Sequence, residues 1–247
     1  MKLFGLIGYP LSHSFSKKYF TEKFDKEGIA DHQYELFPIE DINSLPELLN
    51  QYPNLKGINV TIPHKVDVLK YLNEIDVAAE NIAAVNCISI EKINDAFYLK
   101  GYNTDAFGFE ESLKPLLTAK HKKALVFGDG GAARAVKYVL NKLNIEYKVV
   151  VRKPVEGAIL YSDIDAEIIK THLLLINTTP LGMSPNISTC PDIDYNLITE
   201  DHIAYDLVYN PLETEFIKKA SAKAAVTKNG LEMLHLQAEK AWEIWNK

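Results

Sequence analysis

Apolar and polar residues alternate in short blocks along the whole chain, and the period changes from block to block. The run "KLFGLIG" at 2–8 has strand length and is followed by the turn-like "YPLSHS". "SKKYFTEKFDKEG" then spaces Tyr19, Phe20 and Phe24 at helical intervals, with Ser16 suited to the N-cap and Gly28 to the C-terminal stop. "HQYELFPI" predicts a second strand, and "SLPELLNQY" a helix opened by Ser44 with Pro46 in its first turn. "LKGINVTIP" predicts a third strand, which ends near Pro63 because proline cannot donate to a sheet ladder. Two helical stretches follow, "KVDVLKYLN" and "DVAAENI". "AVNCISI" and "AFYLKGYN" form a strand pair around "EKIND".

The character changes within residues 101–106, which marks a domain boundary. "TDAFGFEESLKPLL" is helical, and "KALVFGDGGAARAVKYVLNKLN" reads as strand, glycine turn, helix. "EYKVVVRK", "THLLLINTTP" and "HIAYDLVYN" are further strands. In "GLEMLHLQAEKAWEIW", Leu231, Leu234, Ala238, Ala241 or Trp242, and Trp245 share one face of an amphipathic helix. Strands and helices that alternate in this way predict an α/β fold.

Composition narrows the function classes. The chain has 247 residues, 47% hydrophobic and 24% charged, which is ordinary for a globular protein of one large or two small domains. A formal net charge of −6 without a long basic run argues against nucleic acid as a partner. No apolar stretch is long enough to span a bilayer, and the first apolar run is too short for a signal-peptide core. The two cysteines, Cys87 and Cys190, have no CxxC spacing, so a reduced cytoplasmic protein is expected. The seven histidines are scattered, and no metal site is expected.

The glycine turn gives the sharpest chemical signal. Gly128-x-Gly130-x-x-Ala133 follows an apolar strand and opens a helix, which is the context a dinucleotide fingerprint requires. Gly128 makes the turn, Gly130 admits a pyrophosphate to the backbone, and Ala133 lets the helix pack close. Gly131 and Ala132 stand at the helix start, where free N–H groups face phosphates. The competing reading is a plain structural turn. After the next strand come Arg152 and Lys153, with no acidic residue to bind a ribose 2′-hydroxyl. A guanidinium there favours the 2′-phosphate of NADP over NAD, unless the pair is merely a solvated basic loop.

Three polar clusters precede that turn, each after a strand: "SHS" at 12–14, "TIPHK" at 61–65 and "NTD" at 103–105. If the strands share a sheet, the clusters converge at one edge. Lys65 with Asp105 could move the proton that accompanies a hydride, the carboxylate orienting the amine. A surface lysine and a helix-capping aspartate are the alternative. Ser12 and Ser14 could bind a carboxylate or serve as turn residues. His13 between them does not make a Ser/His hydrolase: adjacent side chains in an extended segment point opposite ways, and no G-x-S-x-G elbow exists.

Eight motifs in order and spacing resemble the shikimate dehydrogenase family: "GYPLSHSFS", "NVTIPHK", "AVNCI", "GYNTDAFGF", "GDGGAARA", "INTTPLGM", "YDLVYNPLET" and "NGLEMLHLQAEKAW". The resemblance implies that Ser12 and Ser14 hold the carboxylate of shikimate or 3-dehydroshikimate. It implies that Thr61, Asn86, Asp105 and Gln237 bind ring hydroxyls, that Lys65 and Asp105 are the catalytic pair, and that Tyr209 packs at the substrate. Gly128, Gly130, Gly131, Ala132, Arg152 and Lys153 would bind NADP, with Gly230 and Met233 flanking the nicotinamide. The implied fold is a mixed-sheet α/β substrate domain, 1–103, completed by a returning C-terminal helix at 230–247, plus a Rossmann dinucleotide-binding domain at 104–229 with a cleft between. The expected partners are small molecules, with no nucleic acid or membrane, and the chain acts as a monomer or homodimer. Five positions depart from the family pattern: Val151 and Lys153 around the arginine, Cys87 for threonine, Ala106 for glycine and Lys17 for proline. The rival readings are an NAD-dependent quinate/shikimate dehydrogenase and a catalytically silent nucleotide-binding regulator.

Overall fold

The computed structural model describes residues 1–11, 14–94 and 96–247, and divides into two compact units. The first comprises Met1–Thr104 with Ala238–Lys247, the second Asp105–Gln237.

In the first unit, β1 (Lys2–Gly8) leads to α1 (Phe15–Glu27) and β2 (His32–Pro38). The α1 N-cap is Ser14, two residues ahead of the expected Ser16, and its extended backbone (φ −68°, ψ 125°) stops the helix there. Gly28 ends the helix in the left-handed conformation, as its position suggests. A 3-10 turn and Ser44 precede α2 (Leu45–Gln51), followed by β3 (Leu55–Val60). The stretch expected as a helix after Lys65 is a 3-10 turn over Asp67–Tyr71, leading to the two-residue β4 (Glu74–Ile75). Asp76 caps α3 (Val77–Ile82) by accepting from Ala78 N–H. The hairpin β5 (Cys87–Ile93) and β6 (Ala96–Tyr102) runs further into the expected turn than its sequence indicates. These strands form a mixed sheet in the order β2-β1-β3-β5-β6-β4, with β5 antiparallel to both neighbours.

The second unit contains nearly all of α4 (Thr104–Leu113), then β7 (Lys123–Phe127), α5 (Gly131–Lys142) and β8 (Glu146–Val151). β9 (Ala158–Leu160), α6 (Ala166–Thr171), β10 (Leu174–Asn177), β11 (Ile203–Asp206), α7 (Glu215–Ser221), β12 (Val226–Lys228) and α8 (Leu231–Trp245) complete it. All strand pairs here are parallel, in the order β12-β11-β10-β7-β8-β9. The chain winds outward from β7 to β9 and then restarts on the other side at β10, which is Rossmann topology. Buried on both faces, β7, β10 and β11 read as continuous apolar runs.

The last helix is shared between the units, and from Ala238 onward it packs in the first. Trp245 stacks on Phe4 at 5.0 Å and Trp242 meets Phe24 at 5.2 Å. Trp245 Nε1 also donates to the Ile88 carbonyl at 3.0 Å, so the indole's polar atom is satisfied as it is buried.

Candidate functional sites in the two units

The C-terminal ends of β1, β3 and β6 lie along one edge of the first sheet. The ladder continues one residue past the strands: Thr61 N–H donates to Ile7 O at 2.9 Å, Val60 N–H to Asn86 O at 2.8 Å, and Asn86 N–H to Tyr102 O at 3.0 Å. Thr61 is half-buried, and the chain turns at once, His64 N–H donating to Thr61 O. The histidine of "TIPHK" is structural: it is buried, and Nε2 donates to the Ile39 carbonyl at 2.7 Å. Lys65 follows, half-buried, its carbonyl accepting from Val85 N–H at 2.8 Å.

Asn86 sits in a buried amide network. Its Oδ1 accepts from Thr104 N–H at 2.6 Å, and its Nδ2 donates to Thr104 Oγ1 at 3.0 Å. Asn59 Nδ2 donates to the Asn86 carbonyl at 3.3 Å, and Tyr34 hydroxyl to Asn59 Oδ1 at 2.8 Å. Both amides are thereby held in one flip, ready to meet neutral hydroxyls. Ser14 has a buried Oγ with no hydrogen-bond partner among the described residues, a costly state unless a ligand supplies one. Ser12 and His13 lie outside the described residues. Asp105 stands in the first turn of α4 and opens the second unit.

In the second unit the glycine turn lies at the switch point between β7 and β10. Gly128 has φ +97°, and a Cβ there would lie 2.8 Å from Thr179 Cγ2. Gly130 is the N-cap of α5, and Gly130 and Gly131 face open space. No side chain caps this helix, so its first N–H groups, with Ala132 in the first turn, are available to an anion. A cavity of about 670 Å³ opens here, walled by Gly128, Gly130, Arg152, Lys153, Thr179 and Leu181 among others. Arg152 and Lys153 follow β8 directly and are exposed at its mouth.

Several lining residues had no role in the sequence reading. Tyr161 lies on the cavity wall, stacked on Phe127 at 5.9 Å and 11°, and burial pushes its hydroxyl up to about 12. That hydroxyl has no hydrogen-bond partner among the described residues. Nothing near it in sequence signals this placement. Asp129 puts a carboxylate inside the glycine turn, and Lys137, eight residues on, pairs with it. Thr178 and Thr179 stand in the quoted "INTTPLGM" segment, where two threonines after a strand were the available signal.

Four expected residues lie elsewhere in this unit. Gly230 N–H donates to Val208 O at 3.1 Å, and a Cβ on Gly230 would fall 2.1 Å from the Leu207 carbonyl oxygen, so no larger residue fits. Met233 is buried on α8, and the Gln237 amide donates to Leu234 O at 3.1 Å. Tyr209 is half-buried three residues past β11, and burial raises its hydroxyl's pKa. Among the described residues no cluster of His, Cys, Asp and Glu could hold a metal, and no helix is long and apolar enough to cross a membrane.

Residues 6–88 match the shikimate dehydrogenase substrate binding domain. An NADP(+) shikimate dehydrogenase from Carboxydothermus hydrogenoformans is 39% identical over 99% of this chain and 91% of its own length. The chain belongs to the shikimate dehydrogenase family. Shikimate 5-dehydrogenase from Thermus thermophilus, solved in complex with NADP(H) and shikimate, superposes with a TM-score of 0.84 at 31% identity, covering 99% of this chain and 93% of that one. Quinate dehydrogenase from Corynebacterium glutamicum, solved in complex with NAD, superposes with a TM-score of 0.87 at 27% identity over the same shares. The superposition on the shikimate dehydrogenase spans both the mixed sheet and the parallel sheet of this chain.

Proposed function

We propose that this chain is an NADP-dependent shikimate dehydrogenase that interconverts 3-dehydroshikimate and shikimate. The first unit, Met1–Thr104 with the end of the returning helix from Ala238, serves as the substrate domain, and the second, Asp105–Gln237, as the cofactor domain. In the reductive direction NADPH delivers a hydride to the ketone carbon, and Lys65 supplies the proton to the carbonyl oxygen, oriented by Asp105. Ser12 and Ser14 take the ring carboxylate, and Thr61, Asn86 and Gln237 take the hydroxyls, with Tyr209 packed on the ring. The buried, partnerless Ser14 Oγ at the start of α1 supports this: a carboxylate supplies the missing acceptor. Gly128, Gly130, Gly131 and Ala132 hold the pyrophosphate, and Gly230 and Met233 flank the nicotinamide. The enzyme works in the cytoplasm as a monomer or homodimer.

The observation that carries the cofactor choice is the pair of cations after β8. A 2′-phosphate brings close to two negative charges, which Arg152 can meet with two parallel bonds and Lys153 with a point charge. The fit to the NAD-bound quinate dehydrogenase favours a second reading, oxidation of quinate with NAD. Steady-state assays with shikimate and quinate against NADP and NAD decide between them. Shikimate with NADP should give the highest kcat/KM; a preference for quinate or NAD would overturn the assignment.

A further inference from the structure

A carboxylate with no part in the chemistry assigned so far underlies the cavity of the second unit. Asp206, which ends β11, is fully buried, as are Asn177, which ends β10, and Thr214, the N-cap of α7. Three neutral donors meet it. Asn177 Nδ2 donates to Oδ1 at 2.9 Å, Val208 N–H to Oδ1 at 3.0 Å, and Thr214 hydroxyl to Oδ2 at 2.5 Å.

Two surfaces depend on these bonds. Asn177 Oδ1 accepts from Thr179 N–H at 3.1 Å and from its hydroxyl at 2.6 Å, while Nδ2 also donates to Leu181 O at 3.2 Å. Thr179 Oγ1 in turn accepts from Leu181 N–H at 3.2 Å. Thr179 and Leu181 are wall residues of the cavity that holds Gly128 and Arg152. On the other side, Val208 presents its carbonyl to Gly230 N–H. An ionised carboxylate only accepts, so it takes Asn177 Nδ2, in agreement with Thr179 N–H, which only donates, and Leu181 O, which only accepts. What the carboxylate adds is a charge-assisted bond that anchors the amide to the end of β11.

We propose that Asp206 is a positioning residue for the dinucleotide, anchoring Asn177 and through it the Thr179–Leu181 wall. This rests on the NADP reading above. Burial raises the Asp206 carboxyl to about 6 in spite of its three donors, so its charge changes within reach of an assay. On the elements beside it, Glu215 and Lys218 of α7 pair with each other, Lys228 of β12 pairs with Glu232, and Tyr195 is the titratable ring that feels its charge. A raised carboxylate favours the protonated fold, so this group's contribution to stability grows as pH falls from about 6 towards its ordinary 3.8. Weaker cofactor binding in that range is therefore not unfolding caused by Asp206. It follows from the loss of charge assistance in the three bonds.

The test measures KM for NADP and kcat from pH 5 to 8.5, with NADPH binding by fluorescence, for wild type, Asp206→Asn, Asn177→Ala and the double variant. Amide exchange over 178–182 without cofactor gives a readout independent of NADP. In wild type KM should rise about fivefold as pH falls below 6, with kcat less affected. Asp206→Asn should show the higher KM already at pH 8, keep only the shallower pH dependence that the 2′-phosphate's own ionisation at about 6 imposes, and speed exchange across 178–182. Combined with Asn177→Ala it should add nothing, because both act through one amide. An Asp206→Asn protein with wild-type KM, pH profile and NADPH affinity overturns the proposal alone, as do losses that multiply in the double variant. Wild type that binds no NADPH overturns the cofactor reading with it, whatever the exchange data show. Should Asp206→Asn fail to fold, Thr214→Val carries the test, since it removes one donor: it should raise KM, and Thr214→Ser should restore it.

Discussion

The edge of the first sheet and the cavity of the second are both built where strands end, yet from different materials. On the first sheet the polar groups are side chains locked to one another and to the backbone: Tyr34 to Asn59, Asn59 to the Asn86 carbonyl, Asn86 to Thr104, all buried. In the second unit the polar groups are unsatisfied backbone N–H at the start of α5 and two exposed cations after β8. On the proposed reading, buried neutral amides and hydroxyls select a polyhydroxylated ring through hydrogen-bond geometry, with little dependence on salt. Exposed cations and a helix N-terminus attract phosphate by charge, which salt screens. The two sites should therefore respond differently to ionic strength and to substitution.

The largest test concerns Lys65 and Asp105. Lys65→Ala should lower kcat about 10²–10⁴-fold with KM for shikimate much less changed, because it removes the proposed proton-transfer group. Asp105→Asn should also be strongly impaired, and the double variant should lose no more than the worse single one. Near wild-type turnover of folded Lys65→Ala, or losses that multiply, would break the pair.

Next comes the charge-built cavity. Arg152→Ala should raise KM for NADP on the order of tenfold, leave NAD nearly unchanged and weaken the salt dependence of KM for NADP. The same salt series should leave KM for shikimate comparatively flat. Equal salt slopes for the two ligands would erase the distinction between the sites.

A smaller effect is expected of Ser14→Ala, which should raise KM for shikimate several-fold while sparing NADP. An analogue without the carboxylate should not distinguish the variant from wild type. If it does, the hydroxyl serves the helix start and not the ligand.

The smallest effect concerns stability. His172, in the second unit, is buried, its Nδ1 lies 2.8 Å from the Ile168 carbonyl, and burial holds its pKa below the ordinary 6.5. The folded state thus binds fewer protons than the unfolded one, and this group's contribution, present above pH 6.5, is lost as pH falls below it. Urea midpoints at pH 7.5 and 6 should converge in His172→Asn relative to wild type. An unchanged difference would show that His172 does not titrate on unfolding.

Much of this could be read along the chain. Gly28 and Gly128 mark left-handed or positive-φ turns, Pro63 follows the end of β3, and apolar runs identify β7, β10 and β11, because each constraint acts within a few residues. The order of the eight motifs likewise anticipated the family. Tertiary structure decided what local rules leave open. Ser14 caps α1 in place of Ser16 because the incoming chain is still extended there. The two- and three-residue strands β4, β9 and β12 exist only through the ladder neighbours that satisfy their backbone groups. Tyr161 reaches the cavity because Phe127, 34 positions earlier, offers a face to stack on. The Asp206–Asn177 pair joins residues 29 apart, at the ends of neighbouring strands. Hydrogen bonds and ring contacts across such separations depend on strand order and register, which no short window of sequence specifies.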